Sequence, residues 1–201
     1  MKEKIIHYII ELEWDMFSKV NNFGGTAPCQ EDYNTFKIMR AGQAEAWTEL
    51  LLQSYYDDLV QAKFQNRNLM TEKYARMMES TFPEEYRRIA GMLPVVDNRT
   101  LDLIERILCI NLKWKVKTAE KYPNLTKRGR VIYTKDDSCY VTSFETYLRG
   151  ELRTYSPNTI ELYYDMTLEY WNRGENIEEI YLLNTVKKYS YDSLEIAEKF
   201  A

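Results

Sequence analysis

The chain has 201 residues, enough for one domain that buries roughly two-thirds of its unfolded surface. Apolar residues make up 45% and charged ones 29%, which excludes a disordered chain. A net charge of −4 and a pI near 5.3 argue against a general nucleic-acid binder, whose footprint would be basic.

No stretch of about 18 apolar residues is present, so no membrane span is expected. Acidic residues interrupt the N-terminal MKEKIIHYIIELEW before a signal-peptide core can form. Cys29, Cys109 and Cys139 are widely spaced and read as reduced thiols, which points to the cytoplasm.

In chain order the periodicity is helical. Residues 3–20 place Ile6, Ile9, Ile10, Met16 and Phe17 in one sector, and the link NNFGGTAPCQ then breaks the helix. A second helix is expected from about Gln30 to Ala46, and a third through LLLQSYYDDLVQAKF to near Asn66. Thr71 is placed to cap EKYARMMES, and Pro83 starts a short helix that ends by Gly91. The longest helix is expected from Asp97 or Asn98 to Lys121, before Pro123. VIYT and CYVT flank KDDS, a weak hairpin signal. Beyond it, Thr142 or Ser143 can cap a helix through TSFETYLRGELRTYS, and Ser156-Pro157 opens the next, closed by Gly174. Helices near 177–188 and 192–200 finish the chain. The expected fold is a compact all-α bundle of about eight helices in one domain over 1–201, with a small irregular or β-hairpin insertion near 124–142.

Polar residues inside apolar stripes mark candidate sites. Glu13 lies between Ile9 and Phe17 at i±4, where a carboxylate must be paired, protonated or exposed, or else serve a ligand. Arg40 and Gln43 occupy positions on the second helix where a plain helix would carry Leu, with Asp32 on its shoulder. Antiparallel packing of the two helices would let the Arg40 fork meet Glu13 or a ligand carboxylate. Asn111, centred among Ile104, Ile107, Leu108 and Trp114, implies an internal polar partner. Cys29 sits at or before a helix start, where the dipole lowers a thiol pKa, but the single histidine, His7, projects away. A small, partly buried helix-start residue is the simpler reading of Cys29.

Asn68 and Lys73 join the candidate set. So do Glu145, Arg149 and Glu151 of the helix near 142–156. Thr142 and Glu145 have capping-box spacing. Arg149 and Arg153 continue a charged row, with Arg153 expected outside. Glu151 sits on the apolar edge beside Gly150, a poor helix former that suggests another segment passes close. Glu72, Arg76 and Glu79, spaced i, i+4, i+7, read as a solvated face. With one His and no Cys pair, zinc is not expected; carboxylate-bound Mg²⁺ or Mn²⁺ stays open. No phosphate loop, HExxH, GxSxG or dinucleotide fingerprint is present, so no cofactor is named by the sequence.

The strings IELEWDMF, GG…CQ…TFKIMRAGQ…W, RNLMTEKYARMMEST, TSFETYLRGELRTYS and NTVKKYSYDSLEIAE, in this order, resemble the bacterial domain-of-unknown-function family 4125. The likeness covers nearly the whole chain. Thr26 and Pro28 stand where the family pattern has Arg and Ser, and Ser190 stands where it has Gly. The resemblance implies a self-contained bacterial domain and no particular reaction. Two function classes remain: a pocket for a small polar or anionic ligand, with or without catalysis, or a protein-interaction module whose internal polar groups fix helix register. A solvent-reachable pocket with Glu13 and Arg40 in its wall favours the first; a dry core beside an exposed aromatic patch favours the second.

Overall fold

A computed structural model of the chain describes residues 1–21 and 25–201. It contains eleven α-helices among the described residues: α1 (Lys2–Phe17), α2 (Tyr33–Ala44), α3 (Glu49–Phe64), α4 (Leu69–Thr81), α5 (Pro83–Ile89), α6 (Asn98–Lys121), α7 (Pro123–Thr126), α8 (Phe144–Leu152), α9 (Pro157–Asn172), α10 (Ile177–Lys188) and α11 (Leu194–Phe200). The expected number was about eight. The short α5 and α11 stand where helices were expected near 83–91 and 192–200; α7, a single turn, had no counterpart and is too short for an apolar period to register.

The starts are set by local chemistry. Asp32, Thr48, Asn68, Asp97, Ser143, Ser156, Asn176 and Ser193 each accept a backbone N–H two or three residues onward. Proline opens α5, α7 and α9, where its missing N–H costs nothing. Asn68, and not Thr71, caps α4, and its Nδ2 donates to the Met16 carbonyl at 2.7 Å.

No β-hairpin forms among the described residues. A single antiparallel bridge joins Ser138 and Val141. The carbonyls of Val131 and Ile132 accept the N–H groups of Phe144 and Glu145 at 2.7 and 3.1 Å. The first amides of α8 thus take the place of a partner strand. Asp137 completes this wrap by accepting from Ser143 N, Ser80 Oγ and Thr146 Oγ1.

The helices pack α1 on α3, α2 on α10, α4 on α8 and α6 on α9. A main core draws on all of these, with Leu51, Leu52, Leu59, Ile104, Ile107 and Ile160 fully buried. Each such aliphatic side chain contributes about 1.5–3 kcal/mol on burial. A smaller cluster of Tyr122, Val186, Leu194 and Ala197 fastens α11 to α10 and the end of α6. Gly150 lets α8 approach α4 closely: a Cβ there would stand 2.9 Å from Met77 Cγ and 3.0 Å from the Lys73 carbonyl oxygen. That is the crossing segment which its place on the apolar edge suggested. In the link after α1, Gly24 lies outside the described residues, while Gly25 takes a φ of 87°. Among the described residues no helix is long and apolar enough to cross a membrane.

Candidate functional site

Glu13 of α1 is fully buried, as its place in an apolar stripe requires. Its charge is met by Arg40 of α2, whose Nε donates to Glu13 Oε2 at 2.7 Å and whose Nη2 donates to Oε1. This is the two-pronged geometry that a planar guanidinium offers a carboxylate. Arg40 Nη1 donates to Gln43 Oε1 at 2.8 Å and to Glu151 Oε1 at 3.2 Å. Lys73 of α4, buried under α8, gives its ammonium to the other oxygen of Glu151. Two tyrosines finish the network: Tyr55 donates to Glu13 at 2.7 Å and Tyr155 to Glu151 at 2.8 Å. Their rings meet at 4.6 Å.

Two carboxylates and two cations make this core network neutral. Burial opposes the charge of Arg40 and Lys73, yet the carboxylates outweigh it and hold both pKa values above their usual range. Burial pushes Glu151 toward protonation, but Lys73 and Arg40 prevail and depress its pKa. Tyr55 and Tyr155 are raised by burial and then by Glu13 and Glu151 respectively, so both stay phenols that donate.

A cleft of about 670 Å³ opens on one side of this network. Arg40, Gln43, Lys73 and Glu151 form its polar floor, while Glu13 stays behind Arg40 and does not line it. Phe17, Phe36, Tyr74, Phe144, Tyr163 and Tyr181 give it aromatic walls. Burial, followed by the Tyr147 phenol, pushes the Tyr74 pKa up to about 12. At the rim Lys115 pairs with Glu178 at 3.2 Å. Arg130 lies 4.4 Å from the Tyr147 ring centre and donates to the Thr142 carbonyl at 3.1 Å. Among the described residues Arg130 makes no ion pair.

The sequence candidates divide. Arg40, Gln43, Lys73 and Glu151 meet at the cleft floor, and Cys29 and Asp32 reach its rim. Cys29 is exposed, not partly buried, and stands in a single helical turn, Pro28–Gln30. Asp32 is occupied as the cap of α2. Asn68, Asn111, Glu145 and Arg149 lie off the cleft. Asn111 is buried, but its Nδ2 bonds only its own helix at Ile107, and its Oδ1 has no partner among the described residues. The expected internal polar side chain is not found beside it among the described residues. Glu145 does not close a capping box with Thr142, because Ser143 is the cap; it accepts from Thr134 N and pairs with Arg149. Arg149 is half-buried and also grips Glu105. Arg153, expected outside, is half-buried against Glu79. Glu72 and Arg76, expected on a solvated face, are buried.

Several cleft and network residues escaped the sequence reading. Tyr55 and Tyr155 look like ordinary members of apolar stripes. Lys115 and Glu178 reach the cleft only through helix crossings, while Arg130 comes to it on the basic loop 127–130, which by sequence reads as a short basic loop that could bind a phosphate but more simply binds nothing in particular. No group of three or more His, Cys, Asp or Glu among the described residues is placed to hold a metal ion.

The fold and site define an all-α protein with a neutral, buried charge network beneath an aromatic-walled cleft. The chain belongs to the family described as protein of unknown function (DUF4125), whose model matches residues 3–199. No curated protein and no solved structure matches it.

Proposed function

We propose that the chain is a single domain that binds a small polar or anionic molecule with a flat, apolar body in the aromatic cleft. The observation that carries this reading is a hydrogen-bonding floor of Arg40, Gln43, Lys73 and Glu151 reached from an aromatic cleft of about 670 Å³. That volume lies within the about 300–1,000 Å³ typical of ligand sites, and a few convergent polar groups on an apolar wall are their usual composition. With Glu13 behind Arg40 the network under the floor is neutral overall, so the floor suits a head group offering both donors and acceptors. An anionic substituent would face Arg130 at the rim, where among the described residues no carboxylate pairs with the guanidinium.

Binding fits the electrostatics better than acid–base chemistry. A general acid or base works best with a pKa near the working pH. Arg40 and Lys73 are held protonated and Glu151 ionised, far from neutrality. A thermal-shift screen of small aromatic acids and their neutral amides tests the reading. A true ligand at 100 times its Kd should add about 2.7 kcal/mol of stability. Met39→Trp puts bulk into the cleft at an exposed position and should abolish that gain. A screen without any hit, or hits that persist in Met39→Trp, would overturn it.

A further inference from the structure

Gln43 of α2 is the floor residue whose hydrogen-bonding capacity the charge network leaves open. Its Oε1 must be the atom that meets Arg40, because a guanidinium only donates and Nη1 approaches at 2.8 Å. That contact leaves Nε2 as the free end of the amide. Nε2 finds no acceptor among the described residues, where only Arg76 Nε and Asn111 Oδ1 are buried without a partner. It is therefore reached by solvent, on a residue that lines the aromatic cleft. The backbone beneath it is anchored as well. The Gly42 carbonyl accepts Asn184 Nδ2 at 3.0 Å, and α10 lies so close that a Cβ on Gly42 would collide with Thr185 Oγ1. Side chain and main chain of Gln43 are thus both held before any ligand arrives.

The acceptors of the floor are largely spent, and its donors are not. Gln43 Oε1 takes Arg40, Glu151 Oε1 takes Arg40 and Tyr155, and Glu151 Oε2 takes Lys73. One acceptor site remains on Gln43 Oε1 and one on Glu151 Oε2. On the donor side, Gln43 Nε2 keeps both of its N–H groups. Lys73 gives one N–H to Glu151, and its ammonium lies 3.5 Å from the centre of the Tyr147 ring. Charge balance in the network therefore conceals an excess of donors facing the cleft. A donor that a ligand buries without an acceptor loses its hydration for nothing, so the floor discriminates by what the head group accepts.

We infer that Gln43 is the specificity-determining residue of the cleft: its Nε2 donates to a carbonyl or carboxylate oxygen, so the ligand is a planar aromatic acid or amide and not an amine or amidine. This rests on the reading of the aromatic cleft as a ligand site. A carboxylate head gains further from the floor itself, where Arg40 and Lys73 line the cleft against one carboxylate, Glu151.

Calorimetric titration of the full chain at neutral pH with 2-naphthoate, 2-naphthamide and 2-naphthamidine tests this. These probes share one flat body and carry heads that only accept, do both, or only donate. Wild type should bind the acid or the amide roughly tenfold or more tighter than the amidine, the difference between a hydrogen bond made and a donor left unmet. An acid tighter than the amide identifies the carboxylate; equal binding of the two identifies a carbonyl oxygen as sufficient. Gln43→Glu keeps an oxygen for Arg40 and turns the open end from donor to acceptor. Its preference should reverse, the amidine gaining and the acid losing roughly tenfold. Should Gln43→Glu fail to fold, the order of the three heads on wild type decides. Equal binding of all three heads, a preferred amidine in wild type, or an unchanged order in Gln43→Glu would overturn the role of Gln43 and leave the cleft a ligand site. Binding that Met39→Trp leaves intact would instead remove the cleft reading, and this inference with it. No binding by any of the three heads would also overturn the inference, while the cleft reading stands or falls on the broader screen.

Discussion

The ammonium of Lys73 and the carboxylate of Glu151 form an ion pair inside the protein, each residue only 2% exposed. Their helices, α4 and α8, cross where Gly150 removes a side chain, which lets the two backbones approach closely beside the pair. Arg40 extends the pair to Glu13, and one network therefore ties together α1, α2, α3, α4 and α8. Buried ion pairs are weak sources of net stability, but breaking one is costly because it strands the partner.

Glu13→Ala should accordingly destabilise the protein by about 3–5 kcal/mol, since it leaves the buried Arg40 guanidinium with Glu151, at 3.2 Å, as its one remaining charged partner among the described residues. Urea unfolding measures this as a lowered midpoint at unchanged slope. The double variant Glu13→Leu with Arg40→Met removes both charges and should recover most of the loss. A cost below about 0.5 kcal/mol for Glu13→Ala would be that of a surface carboxylate and would contradict its burial.

The same network sets the response to pH. Burial opposes ionisation of Glu151, but Lys73 and Arg40 keep its folded pKa below the unfolded value of about 4.3. Its contribution is present above that value and is lost as pH falls toward the folded one. Lys73 has the opposite sign: its folded pKa is raised, so its contribution is full below about 10.4 and is lost as pH rises through the folded value. Chemical denaturation across pH should show a plateau between about 5 and 10, with loss on both flanks. In Glu151→Gln the acid flank should flatten; an acid limb identical to wild type would remove Glu151 from the cause.

The eight longer helices were legible because each carries an apolar stripe over several turns, and their caps are ordinary Ser, Thr, Asn and Asp. The short α5 and α11 were read from Pro83 and from the segment 192–200, whereas α7 was not, since one turn holds too few apolar positions to define a period. Glu13 and Arg40 stood out because charge interrupts an apolar stripe. Tyr55 and Tyr155 did not, because a phenol fits such a stripe and only its hydroxyl is polar. Glu72 and Arg76 misled for a different reason. Their i, i+4 spacing is the same on a wet face as on one covered by the segment near Pro94. VIYT and CYVT carry strand-like composition, but Val131 and Ile132 bond to the start of α8 and Val141 only to Ser138, so the two segments do not pair.

Gly150→Ala should destabilise the protein although it gains about 1 kcal/mol of helix propensity. The added Cβ would stand 3.0 Å from the Lys73 carbonyl oxygen, which is backbone and cannot turn aside. Overpacking of this kind costs about 1–3 kcal/mol, and it would push α8 off α4 and loosen the Lys73–Glu151 pair. A lowered melting point checks the outcome. A raised one would mean that the crossing is looser than these distances describe.

Ser190 supplies the last prediction. It follows α10 with a φ of 66°, the left-handed conformation that glycine adopts freely and that a side chain resists. Its N–H donates to the Lys187 carbonyl and that of Tyr191 to Val186, so this backbone shape closes the helix end and cannot relax without losing those bonds. Ser190 is exposed, so its hydroxyl gives little in return. Ser190→Gly should therefore stabilise by about 1 kcal/mol, a rise of about 2–4 °C in Tm for a chain of this size. Ser190→Ala is the control: it removes the hydroxyl but keeps the Cβ, and should leave Tm unchanged or slightly lower. If alanine matched the gain from glycine, the hydroxyl and not the backbone would be the source of the strain.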